Sequence, residues 1–174
     1  RDIAYVGEHI HIGNHRVILD PRTLAKMLDA VDVTDSELVL DVGSGYGYSA
    51  AIIAHLAEAV VALESEDKPF NEMQNALIDH GIDNVIVERG PLFYGAASHA
   101  PYDVIFIQGG VELIPNEILT QLKEGGRIVA IFMQGSLGSV KIGYKLKNDV
   151  SWRFAFNAGA PILDGYKKEM TFTF

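Results

Sequence analysis

Leu38-Val39-Leu40-Asp41-Val42-Gly43-Ser44-Gly45-Tyr46-Gly47-Tyr48-Ser49 is the stretch on which the fold turns. Its first half, Leu38–Val42, is a short run of branched apolar residues, the pattern of a strand buried on both faces. Glycines then recur at alternate positions, and from Ser49 to Ala57 the apolar residues return at helical spacing, with Ile52, Ile53 and Leu56 on one side. A strand that turns through glycines into a helix sets the turn at the carboxyl edge of a parallel sheet, where open α/β folds bind ligands. Gly43 and Gly45 have no Cβ to hold a ligand off the backbone, and they reach the φ values that a sharp strand-to-helix turn demands.

Two details argue against a dinucleotide in that turn, and hence against a dinucleotide oxidoreductase. The third glycine of a Gly-x-Gly-x-x-Gly fingerprint would fall at position 48, which is Tyr48. Asp41 would also repel a pyrophosphate but attract a cationic amino group. From the strand end Asp41 is expected to orient the ammonium of a methionine moiety, while N–H groups of the loop receive its carboxylate. Glu64 ends the next strand, where its two oxygens can accept both hydroxyls of a ribose. Together they read as a site for an adenosyl amino acid.

Outward from this turn, apolar runs and helical stretches alternate as in βαβ units, predicting a parallel sheet with helices on both faces. Strands are expected at Val60–Glu64, Val85–Glu88, Val104–Gln108 and Arg127–Met133, all central and buried, and helices at Thr23–Val31, Lys68–His80 and Asn116–Leu122. Pro115 opens the last helix, and Gly81 and Gly125-Gly126 stop the last two. Beyond Gly135, Ser139–Leu146 and Val150–Phe156 flank Lys147-Asn148-Asp149, whose Asn-Asp pair suits a tight turn, and Glu169–Phe174 reads as a closing strand, so the sheet is expected to end antiparallel.

Composition narrows the function classes. With 174 residues, 48% of them hydrophobic, one domain over 1–174 is expected; because the chain opens on Arg1, a preceding segment is left open. The absence of cysteine excludes disulfides and thiolate metal sites and fits a reducing, cytoplasmic setting. A net charge of -9 speaks against a nucleic-acid partner, and no apolar run is long enough to predict a membrane span.

At these residues the chain resembles class I S-adenosylmethionine-dependent methyltransferases, and Val39–Ala51 looks like the first motif of the protein-L-isoaspartate O-methyltransferase family. Ile12-Gly13 and Val17-Ile18-Leu19-Asp20-Pro21 match in spacing that family's substrate loop; Tyr102–Ile107 and Leu122–Val129 are similar to its fourth and fifth strand segments. The resemblance covers about Ala4 to Met133. It implies a Rossmann-like fold, S-adenosylmethionine as cofactor, and methyl transfer to the free carboxylate of L-isoaspartyl residues in damaged proteins. It implies cofactor contacts from Asp41, Gly43, Ser44, Gly45, Tyr48, Glu64, Arg89, Gly90 and Gln108, and a substrate loop with Ile18, Leu19 and Pro21. No residue is assigned as an acid or base, because the acceptor carboxylate is ionised at neutral pH and positioning supplies the rate.

The chain departs from the family at two places. Leu19 stands where a serine precedes the loop proline, removing a hydroxyl that would orient the acceptor. Arg89 stands where an acidic residue accepts from the adenine amino group, leaving adenine to backbone contacts or stacking. These departures keep two other readings open: a relative that binds the cofactor or its product and has become a sensor or partner-binding protein, and a methyltransferase acting on a small molecule.

Other residues carry weaker signals. His9, His11 and His15 with Glu8 invite a metal reading, but spacing supplies no further ligand. His55 and His80 read as surface or capping residues, and no Gly-x-Ser-x-Gly elbow is present. Phe93 and Tyr94, and the alternating Trp152, Phe154 and Phe156, are expected in the core, the latter three on one face of the sheet.

Overall fold

A computed structural model describes residues 7–169. Among them the strands form a seven-stranded sheet in the order β5-β4-β3-β6-β7-β8-β9 and a separate two-stranded hairpin, β1-β2. β3 (Leu38–Val42), β4 (Ala59–Glu64), β5 (Val85–Arg89), β6 (Tyr102–Val111) and β7 (Leu122–Gln134) run parallel; β8 (Leu137–Leu146) and β9 (Asp149–Asn157) are added antiparallel. This mostly parallel sheet with antiparallel C-terminal strands is the Rossmann-like class I methyltransferase arrangement expected. Two apolar clusters sandwich the sheet, one holding Val39, Val60, Val104 and Val129, the other Leu40, Val61, Ile105 and Ile128. Successive residues of one strand thus serve opposite layers, which is why these strands are apolar without alternation.

The helices obey their local signals. In α1 (Pro21–Val31) the Asp20 side chain caps the Thr23 N–H at 2.9 Å and Pro21 sits in the first turn, so the helix starts before Thr23. It buries Leu24, Met27 and Val31 and ends at Asp32 in a left-handed conformation. α3 (Asp67–Asp79) presents Pro69, Met73 and Leu77 to the core and stops before Gly81, whose φ is +65°. His55 and His80 are helix C-caps.

Several expectations are corrected. Among the described residues β5 pairs only with β4, so Val85–Glu88 is an edge strand and half-exposed rather than central. α2 (Tyr48–Ala54) stops at its His55 cap, which leaves Leu56 exposed instead of on an apolar helix face. α4 (Asn116–Thr120) ends before Gln121, and Gly125-Gly126 lie inside β7, where the β6 ladder shifts register, rather than ending the helix. The final hairpin turns on Lys147-Asn148, both at positive φ, with Asp149 already in β9.

Trp152, Phe154 and Phe156 do not share a core face. A register shift opposite Val140/Lys141 inserts Ala155 as a bulge, and one extra residue reverses the facing of the rest of the strand. Trp152 accordingly packs edge-on against Phe132 in one layer, Phe156 packs in the other beneath the Lys26 ammonium, and Phe154 is exposed. The strand expected over Glu169–Phe174 lies outside the described residues beyond Glu169 itself. No described helix is long and apolar enough to cross a membrane.

Candidate cofactor site

The glycine turn leaves β3 at the carboxyl edge of the sheet. β3 and β4 are adjacent and parallel, with Val42 opposite Leu63, so Asp41 and Glu64 end up on either side of the turn. Gly43, Gly45 and Gly47 all have positive φ, and a Cβ on Gly47 would lie 2.7 Å from Met73 Cγ. At that position both the backbone and the α3 packing require glycine.

Asp41 is fully buried. Its Oδ2 accepts from Ser44 Oγ at 2.8 Å and Ser49 Oγ at 2.6 Å, and its Oδ1 from Gln108 Nε2 at 2.7 Å. Burial pushes its carboxyl above the ordinary value; the three donors only partly offset this, and the Glu64 charge adds to it. Gln108 and Ser49 therefore act on Asp41 rather than on open space. The loop donors have internal partners too: the N–H groups of Gly43 and Ser44 reach Leu63 O at 2.9 and 3.1 Å, and that of Gly45 reaches Glu64 at 2.7 Å. In this conformation they are not turned to a ligand carboxylate.

Glu64 is equally buried, but charged. Arg16, from β2 (Arg16–Ile18), grips it with both terminal nitrogens, at 2.9 Å to Oε1 and 2.8 Å to Oε2. Burial alone would raise the carboxyl; the Arg16 hydrogen bonds and charge, with the Glu66 and Gly45 N–H groups, outweigh it and hold it below its ordinary value. Sequence reasoning missed Arg16. It lies 48 positions from Glu64, and the one signal was a cation leading straight into the apolar Val17-Ile18-Leu19 run.

The hairpin formed by β1 (Ile10–Gly13) and β2 covers the turn. A Cβ at Gly43 would be 3.3 Å from Arg16 Nη2, and one at Gly45 would be 3.2 Å from Ile12 Cδ1. Beneath it, Ile18, Leu19, Ser44, Tyr48, Ser49 and Gln108 enclose only about 10 Å³, less than a methionine chain needs. Leu19 is 2% exposed and belongs to the core. Pro21 is the first residue of α1.

Past Glu64 the site is open. A cavity of about 600 Å³ is lined by Arg16, Ser65, Glu66, Arg89, Gly90 and Phe93, among others. Arg89 is drawn aside by Asp67, 2.6 Å from its Nη2. Leu92 is the buried member of the 3-10 turn Leu92–Tyr94; Phe93 packs partly buried against the core while lining the cavity, and Tyr94 is exposed, so of the aromatic pair only Tyr94 departs from the core expectation. Gln121 fixes the next segment, accepting from Ala96 N at 2.9 Å and donating to Tyr94 O at 2.7 Å and Glu117 O at 2.9 Å. The residue types suit an adenosyl amino acid: a glycine turn between two carboxylates, with space for a purine beside Gly90. In this conformation the side toward Gly90 is open, while Glu64 and the space beneath the hairpin are closed.

His9 does other work. Its Nδ1 accepts from Asp20 N at 2.9 Å, which makes its Nε2 the donor to Gly159 O at 2.7 Å and ties the loop before α1 to the chain after β9. Among the described residues no group of three or more His, Cys, Asp or Glu is arranged to hold a metal ion.

Comparisons with known proteins agree with this architecture. Residues 1–150 match the family Protein-L-isoaspartate(D-aspartate) O-methyltransferase (PCMT). Protein-L-isoaspartate O-methyltransferase 2 of Anaeromyxobacter sp. (strain Fw109-5) is 38% identical over 142 residues, 82% of this chain and 58% of that protein. The protein of the same name from Polaromonas sp. (strain JS666 / ATCC BAA-500) is 39% identical over 126 residues, 72% of this chain and 60% of its own. The chain thus spans three fifths or less of the length of these relatives. A solved protein-L-isoaspartate O-methyltransferase superposes with a TM-score of 0.81 at 25% identity, covering 91% of this chain and 52% of that one. A Plasmodium falciparum β-aspartate methyltransferase (PCMT), solved with S-adenosyl-L-homocysteine, has the same fold, with a TM-score of 0.79 at 18% identity over 94% of this chain and 83% of its own. The chain belongs to the protein-L-isoaspartate O-methyltransferase family, within the class I S-adenosylmethionine-dependent methyltransferase fold.

Proposed function

We propose that the chain transfers a methyl group from S-adenosylmethionine to the free carboxylate of L-isoaspartyl residues in damaged proteins, in the cytoplasm. The observation that carries this reading is the pair Asp41 and Glu64, tipping adjacent strands across a glycine turn, with a 600 Å³ cavity beyond Glu64. Family membership and fold support S-adenosylmethionine as the cofactor, and its sulfonium supplies an activated methyl group. The protein's own residues would orient it: Asp41 toward the ammonium, Glu64 toward the ribose hydroxyls, and the backbone at Gly90 toward adenine, with Arg89 on the cavity wall in an ion pair with Asp67. An acceptor carboxylate needs no base, so alignment carries the rate, a contribution of about 7–11 kcal/mol at best.

One observation favours a second reading, a cofactor-binding relative without transfer activity. Leu19, in the substrate loop, has its side chain in the core and offers an acceptor no hydroxyl. Transfer of labelled methyl from S-adenosylmethionine to an isoaspartyl peptide decides between them. Labelled ester above the level with the matching aspartyl peptide is expected; sound cofactor binding without label leaves the second reading standing.

A further inference from the structure

We propose that Arg16 is a gate at the cofactor site: its guanidinium competes with the ribose of an adenosyl ligand for Glu64, and the ligand enters only when Arg16 swings off that carboxylate. The gate rests on the reading of this site as a cofactor site and deepens it.

The first support is saturation. Glu64 receives five N–H donors, two from Arg16 and one each from Gly45, Ser65 and Glu66. A carboxylate offers about four lone-pair sites, so no acceptor is left for a ribose diol. Removing only the guanidinium withdraws one donor from each oxygen, and those are the two places that vicinal hydroxyls would take. The exchange replaces two N–H donors with two O–H donors on the same atoms.

The second support is that the closed state is poised to open. Arg16 is 5% exposed, yet among the described residues its Nε has no hydrogen-bond partner. An unmet donor in a buried site is a cost that departure relieves. The hairpin carrying Arg16 shares no ladder with the main sheet, so it can shift without breaking the seven strands. The open cavity beside Arg16 is also lined by the acidic residues Glu66 and Asp164, alternative partners for a guanidinium that has left Glu64.

The third is position. Arg16 and Ile12 lie directly over Gly43 and Gly45, so the movement that frees Glu64 also uncovers the turn. Opening is therefore one event for the ribose and methionine ends, while the adenine end needs none.

The test is calorimetric titration of S-adenosylhomocysteine into the wild-type chain and into Arg16→Met, which keeps an apolar stem and removes the fork. Glu64 retains its three backbone N–H partners in the variant. At least tenfold tighter binding by Arg16→Met is expected. Equal or weaker binding by the folded variant overturns the gate while leaving the cofactor reading intact; absence of binding to both proteins overturns the cofactor reading itself. Should Arg16→Met not fold, a structure of the wild-type chain with S-adenosylhomocysteine decides. Arg16 beyond 4 Å of Glu64, with ribose hydroxyls in its place, is expected, and Arg16 still holding both oxygens refutes the gate.

Discussion

Leu19→Ser supplies the hydroxyl that the family resemblance implies at this point, and the structure predicts that it does so at a large cost in stability. Leu19 is 2% exposed and sits in the cluster with Val17, Leu24 and Met27. Truncating a buried leucine to alanine costs about 2–5 kcal/mol, the upper end where the surroundings cannot collapse. Serine adds a hydroxyl beside Ser44, Ser49 and Gln108, which line the same small cavity but already donate to Asp41. With at best one weak partner for that hydroxyl, the net loss is about 3–5 kcal/mol. At roughly 2–4 °C per kcal/mol for a chain of this size, the melting temperature should fall by about 10 °C. Urea unfolding at unchanged m-value measures the loss directly, and a change below about 1 kcal/mol would refute the buried placement of Leu19. The same truncation enlarges the small closed cavity proposed for the methionine end. S-adenosylhomocysteine at 100 times its Kd should return about 2.7 kcal/mol, and label transfer to an isoaspartyl peptide should rise at temperatures where the variant is folded. Sound ligand binding with no rise would count against the isoaspartyl assignment.

Three further perturbations probe the site. Asp41 has its carboxyl raised by burial, so its contribution to stability is complete below the unfolded value of about 3.9 and lost as pH rises through the folded value. Asp41→Asn should therefore be at least as stable as wild type at pH 7 and lose that advantage as pH is lowered toward 4; an unchanged pH profile in thermal melts contradicts this. Glu64 is lowered, so its stabilisation is present above an unfolded value of about 4.3 and lost as pH falls through the folded one. Glu64→Gln leaves Arg16 buried without its counter-charge, a loss of about 3 kcal/mol at pH 7 by urea unfolding, and a difference within 1 kcal/mol would show that the pair is not held as described. In Gly110→Ala the new Cβ would collide with the Ala160 carbonyl and come within 2.9 Å of Met133 Cγ. A loss of about 1–3 kcal/mol is expected, with faster amide exchange at Gly110 and Leu163, which now bond to Pro161 O at 2.8 Å and Gly110 O at 2.9 Å; unchanged exchange would argue against that packing.

Local chemistry made much of the fold legible. The apolar runs at Leu38, Val60 and Val104 are strands because each has a layer on either face, and Gly81 ends α3 by taking a conformation that other residues resist. The features that escaped depend on partners distant in sequence. Nothing within Val85–Glu88 says that it has one neighbouring strand, and the Ala155 bulge arises from register with β8 rather than from its own residues. At the site, Asp41 and Glu64 could be located from the strand ends, but their partners could not. Gln108 and Arg16 reach them from 67 and 48 positions away, and composition does not reveal which donor arrives first.

Gln121 gives the two sides of the cavity different roles. By stapling Tyr94, Ala96 and Glu117 to one another, it anchors the segment that follows the wall residues Leu92 and Phe93 and so backs that wall as a finished mould, while the opposite side is a hairpin that shares no ladder with the main sheet. A purine should meet that mould with little ordering left to do, and the entropy of rearrangement would fall on the other half of the ligand. Fragments confined to the nucleobase should therefore bind with small heat-capacity changes, and the whole nucleoside with large ones.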